Sequence, residues 1–92
     1  MTRQAISWRV RGLVMSENWY NAEQTFICNY CMARLDHHHV VIDHITPVAR
    51  GGSDHPSNLQ VVCARCNALK GDRMPDEAEE FINNYLEMEA QA

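Results

Sequence analysis

Ninety-two residues fit one small domain, and a chain of that length buries too little apolar surface to be comfortable without a staple. No run approaches the roughly 20 apolar residues that cross a bilayer, and none follows Met1-Thr2-Arg3-Gln4 as a secretory leader would require, so a soluble protein of a reducing, cytoplasmic setting is expected. The formal charge of −4 is uneven: the eight Lys and Arg all lie at or before Arg73 against six acids, +2, whereas Met74 to Ala92 holds six acids and no base, −6; a body this weakly basic is compatible with DNA but excludes tight binding by charge alone.

In chain order, Ile6, Val10, Leu13 and Val14 recur at helical spacing beside Arg3, Arg9 and Arg11, predicting a helix from about Gln4 to Met15, weakened by Gly12. Residues 16–25 are polar and irregular, apart from Trp19 and Tyr20, which read as core anchors. Phe26 to Ala33 forms a knuckle around Cys28 and Cys31. His37 and His39 are expected on one face of a strand approach with His38 on the other, and an adventitious metal site there is a second reading. His39 to Ile45 is rich in β-branched residues and reads as a strand, with Leu59 to Val62 as its partner. Between them Thr46 to Asn58, thirteen residues with Pro47, Gly51, Gly52 and Pro56, is long for a small domain and fits an Ω-like functional loop that exposes His55. A second knuckle, Cys63 and Cys66, opens a short helix from Ala64 to Lys70 that Gly71 ends. Pro75 starts a last helix, to about residue 90, with Asp76, Glu77, Glu79 and Glu80 early and an apolar stripe of Ala78, Phe81, Ile82, Tyr85 and Leu86 that covers the core.

Two Cys-x-x-Cys pairs offer four sulfurs, the closed tetrahedral shell of structural Zn²⁺ at about 2.3 Å each. The alternatives are two disulfides or four unrelated buried thiols, and the absence of an oxidising signal favours zinc. The 31 residues between the pairs exceed the usual zinc-ribbon window, so something the size of a long hairpin lies between the knuckles. Zinc binding energy in such a unit is folding energy.

Hydrolysing a phosphodiester near neutral pH needs a base to activate water, a cation to neutralise charge on phosphate and leaving oxygen, and rigid positioning. Histidine suits the first task, and oxygen ligands on a hard cation suit the second. Asp43, His44 and Asn67 provide that set. Adjacent residues on a regular strand face opposite sides, so either the strand bends at its end or the scissile phosphate sits between Asp43 and His44.

The run Asp43-His44-Ile45-x-Pro47, Gly51-Gly52, Asn58-Leu59, Cys63-x-x-Cys66-Asn67-x-x-Lys70-Gly71 resembles the HNH endonuclease motif in its zinc-stapled form, whose ββα-metal core is related to treble-clef zinc folds. The resemblance covers about Cys28 to Arg73, half of the chain. It implies His44 as the general base, Asn58 as the residue that holds the histidine and hairpin in place, and Asn67 with Asp43 as ligands of the catalytic cation. Many relatives have histidine where Asn67 stands, and the harder amide oxygen leans the site toward Mg²⁺ or Mn²⁺. Lys70, Arg73 and Arg50 are candidate phosphate contacts, with solvated surface charge as the bland alternative.

The expectation is therefore an α+β chain with one domain over residues 1–92: a zinc-stapled ββα-metal core at 26–73 with flanking helices at about 4–15 and 75–90. It would nick DNA as a monomer by metal-assisted hydrolysis, leaving 5′-phosphate and 3′-hydroxyl ends by resemblance. Small members of this kind often come from phages or mobile elements, which implies a packaging or recombination protein as a directing partner. The competing reading is a non-catalytic treble-clef module that binds nucleic acid or protein and uses metal only to fold; a subunit stapled to a larger nuclease through the acidic helix is a third.

Overall fold

The computed structural model describes residues 7–18 and 25–91. Trp19 and Tyr20, and the expected helical residues before Ser7, lie outside them. Helix α1, Trp8–Glu17, starts where Ser7 is extended and its Oγ accepts the Val10 N–H at 3.3 Å, an N-cap that fixes the start of this helix. The helix runs two residues past Met15 and closes on Asn18, whose Nδ2 donates to the Val14 carbonyl at 2.7 Å. Val14 is its buried residue, while Trp8 stands 80% exposed.

The first knuckle is a short hairpin, β1 (Phe26–Ile27) against β2 (Arg34–Leu35), with Phe26 opposite Leu35. Its turn is closed by Met32 N–H to Cys28 O and Cys28 N–H to Ala33 O, and Met32 takes the left-handed φ of 64° that the tight reversal requires. The triple histidine that follows is a turn and not the expected strand approach. Asp36 causes this: its Oδ1 accepts the His38 N–H at 2.9 Å and contacts His39 Nδ1 at 2.7 Å, while its carbonyl accepts the His39 N–H. An Asx turn so satisfied outcompetes extended pairing. The strand starts later, at Val41.

The second sheet pairs β3 (Val41–His44) antiparallel with β4 (Leu59–Val62), in the register Val41 to Val62, Ile42 to Val61, Asp43 to Gln60 and His44 to Leu59. All four β4 residues are buried, as expected of a strand covered on both faces. Helix α2, Ala64–Lys70, follows at once; Cys63 is its N-cap, with Sγ accepting the Cys66 N–H at 3.3 Å, and Gly71 ends it at φ 51°. Helix α3, Pro75–Ala90, begins with proline at its first position and a Met74 N–H to Glu77 Oε1 bond of 3.2 Å.

The core joins Val14 of α1, Phe26 and Leu35 of the knuckle hairpin, Ile42, Leu59, Val61 and Val62 of the second sheet, and Ala78 and Ile82 of α3. Ile82 is fully buried, a placement worth roughly 1.5–3 kcal/mol. The predicted stripe on α3 divides. Ala78 and Ile82 are buried and Leu86 half-buried, whereas Phe81 and Tyr85 stay exposed beneath the guanidinium groups of Arg73, 3.7 Å from the Phe81 ring centre, and Arg65, 5.4 Å from that of Tyr85. The α+β expectation holds: three helices and two small antiparallel sheets among the described residues.

Candidate active site and metal centre

The knuckle hairpin and the start of α2 bring Cys28, Cys31, Cys63 and Cys66 together, one metal-binding atom of each within 4.8 Å of all the others. None is in a disulfide, which removes the two-disulfide alternative. Cys31 Sγ lies 3.8 Å from Cys63 Sγ. An ion about 2.3 Å from each of four sulfurs sets a tetrahedron edge near 3.8 Å, so the cluster has the size and donor set that zinc requires. Burial pushes the Cys28 thiol up, but backbone N–H groups at Cys31, Cys63 and Tyr30 outweigh it and hold the group below its ordinary value. Cys66 goes the other way, pushed up by burial and then by its neighbouring thiols, Cys63 first. Crowded thiols of opposing tendency are what a divalent cation resolves, because it binds all of them as thiolates.

Asp43 and His44, the last two residues of β3, meet different partners. Asp43 is 1% exposed, and its Oδ2 meets Lys70 Nζ at 3.3 Å and the Gln60 Nε2 donor at 3.0 Å. Gln60, its cross-strand partner, also donates to Tyr30 Oη at 3.2 Å and accepts from Asn29 Nδ2 at 3.2 Å. The carboxylate is thus braced against the first cysteine knuckle. Burial, partly offset by the Gln60 hydrogen bond, pushes the Tyr30 phenol up, with the charges of Asp43 and Glu79 adding to it. His44 turns the other way, into the loop, and its Nε2 sits 2.6 Å from Asp54 Oδ1.

Lys70 corrects the sequence reading. Both sequence readings, phosphate contact and solvated charge, place it at the surface, yet its side chain is 1% exposed and its Nζ reaches back to the His44 carbonyl at 2.7 Å as well as to Asp43. A buried carboxylate draws the ammonium inward, since an unpaired buried charge is far costlier than a paired one. Asn67, three residues before Lys70 on α2, lies on the same side of that helix and is half-buried. Of the two arginines, Arg50 donates through Nε to the Asp72 carbonyl at 3.0 Å, and Arg73 donates to the Leu69 carbonyl at 2.9 Å.

Asn58 acts inside the loop. Its Oδ1 accepts the Thr46 N–H at 2.9 Å, and its Nδ2 donates to the Thr46 carbonyl at 3.1 Å and the Ser53 carbonyl at 2.8 Å. Gly52 makes room for that staple, because a Cβ there would lie 1.7 Å from Thr46 O and 2.9 Å from Asn58 Nδ2. Sequence reasoning missed Gln60, Asp54 and the inward turn of Lys70. Gln60 alone had a signal, since pairing the two predicted strands sets it opposite Asp43.

A β-hairpin followed directly by a helix, with four thiols clamping the hairpin's entry and the helix's start, defines a small metal-site fold of the ββα type. The HNH endonuclease family model matches residues 28–83, more than half of the chain, and the chain belongs to that family. The family's activity is that of a nuclease, a hydrolase acting on nucleic acid. No curated protein matches the chain. No helix among the described residues is long and apolar enough to cross a membrane.

Proposed function

We propose that this chain, acting as one domain over residues 1–92, is a metal-dependent DNA endonuclease that nicks as a monomer. The observation that carries the reading is the Asp43-His44 end of β3, set against α2 with its Asn67 and flanked by a loop stapled by Asn58. Asp43 and Asn67 would hold Mg²⁺ or Mn²⁺, hard cations suited to a carboxylate and an amide oxygen. When bound, such an ion supplies Lewis-acid stabilisation of charge on the phosphate and leaving oxygen. His44 takes the proton from the attacking water; as the water oxygen bonds to phosphorus, the bond to the 3′ oxygen breaks and the departing alkoxide takes a proton from solvent, leaving 5′-phosphate and 3′-hydroxyl ends. Asn58 keeps the loop and strand in register. Arg73, between α2 and α3, and Arg50, which reaches the Asp72 carbonyl there from the loop, are the proposed phosphate contacts, and the four cysteines hold zinc. A packaging or recombination protein that directs the chain to DNA belongs to the same proposal, as does a cytoplasmic setting.

One observation favours a second reading, a zinc module that binds without cutting: Asp43 and His44 are only 1% and 3% exposed, and both have internal partners. Supercoiled plasmid incubated with Mg²⁺ or Mn²⁺ separates the two. Nicking by the parent and its near-complete loss in His44→Ala, with zinc content and helicity retained, supports the nuclease. Equal residual activity in both proteins supports the binding module.

A further inference from the structure

We propose that Asp54 is a positioning residue that fixes the His44 imidazole through Nε2 and so makes Nδ1 the atom that accepts the proton. The inference deepens the nuclease reading and rests on it for the role of His44. Its own basis is geometric. At 2.6 Å, Asp54 Oδ1 and His44 Nε2 are in close hydrogen-bond contact. A carboxylate oxygen and a bare ring nitrogen are both acceptors and would repel at that distance, so Nε2 carries the hydrogen. A neutral imidazole has only one N–H, which puts the lone pair on Nδ1. Among the described residues nothing bonds to Nδ1. The ring is also packed in place, its side chain 4% exposed against 34% for Asp54.

The loop is constructed to deliver this carboxylate. Asn58 ties the Ser53 carbonyl, immediately before Asp54, to Thr46, two residues beyond His44. Gly52 permits the close approach of backbone that the tie needs. On the far side, Ser53 Oγ accepts the His55 N–H at 3.3 Å, and His55 Nδ1 caps the turn Pro56–Asn58 by accepting the Ser57 N–H at 3.1 Å. Restraints on both sides of Asp54 converge on one side chain that touches the histidine. The loop's length and glycine content thereby acquire a chemical purpose: one fixed tautomer and ring angle at the end of β3.

The test reads ring nitrogen chemical shifts of ¹⁵N-labelled, zinc-loaded full chain without DNA or Mg²⁺, with the His44 signals assigned by their disappearance in His44→Ala. The parent is expected to show His44 predominantly as the Nε2–H tautomer, and Asp54→Ala a mixture of tautomers. In plasmid nicking, Asp54→Ala is expected to lower kcat on the order of 10-fold to 100-fold while KM moves less than about 3-fold. A parent His44 in the Nδ1–H form overturns the proposal whether or not Asp54→Ala folds. An unchanged or raised kcat in folded Asp54→Ala overturns it as well, the latter by making the contact a brake. Nicking that survives in His44→Ala sinks the nuclease role of His44 and leaves the tautomer result standing, so the two failures are distinguishable.

Discussion

Replacing Lys70 with methionine keeps most of the stem's volume and removes one buried ammonium. In the parent that group lies 3.3 Å from Asp43 Oδ2 and 2.7 Å from the His44 carbonyl, with both side chains 1% exposed. Removing one partner of a buried pair costs about 3–5 kcal/mol, because the other charge stays buried. The orphaned carbonyl alone is worth about 1–3 kcal/mol. The two losses share one nitrogen and do not simply add, so about 3–5 kcal/mol is expected for the whole change. A surface lysine in a solvated ion pair would lose about 0–1 kcal/mol. Urea denaturation with zinc kept saturating, followed by far-ultraviolet circular dichroism, measures the difference without confounding it with metal loss. The double variant Asp43→Leu/Lys70→Met should recover part of the deficit, because no lone charge is left inside although the His44 carbonyl still lacks its donor. A loss under about 1 kcal/mol for Lys70→Met at an unchanged denaturant slope would refute the assignment of Lys70 as an interior counter-ion.

Three further outcomes are expected. Gly52→Ala should destabilise by about 1–3 kcal/mol through its clash with Thr46 and Asn58, whereas Gly12→Ala, in α1 with nothing near its Cβ, should stabilise by about 0.5–1 kcal/mol; thermal melts in the reverse order would contradict the loop packing. Cys28→Ser should lose zinc and fold together, read by metal stoichiometry and circular dichroism, and a folded, metal-free variant would end the argument that the sulfurs staple the chain. Asn67→Asp should alter the Mg²⁺/Mn²⁺ activity ratio by adding charge at a proposed ligand, and an unchanged ratio would count against Asn67.

The elements the sequence revealed best are those whose signals are local. The β-branched run before Asp43, the cysteine pairs, Gly71 after Lys70 and Pro75 before its acids each mark a boundary that the structure keeps to within two residues. The histidine triplet misleads because it leads straight into a β-branched run, whereas Asp36, an aspartate two and three residues ahead of backbone donors, is itself a turn signal. Lys70 was illegible for a different reason. A lysine at the end of a short helix ordinarily reaches water, and only the three-dimensional proximity of Asp43, 27 positions earlier, reverses that. Asp54 carries no mark in a loop of polar residues, since its role depends on where Asn58 pins the chain.

The sulfur cluster also shapes how the molecule presents itself to a polyanion. With zinc bound as proposed, four thiolates around one divalent ion would sum to two negative charges, and loading the site would shed the protons the thiols carried. That corner would then be electronegative, beside a pocket where Arg34, His39 and Arg65 line the wall next to Cys63. With Glu89 already engaging Arg65, little cationic surplus remains there. Electrostatic steering would turn a sugar-phosphate backbone away from the thiolate corner unless those arginines are released to meet it.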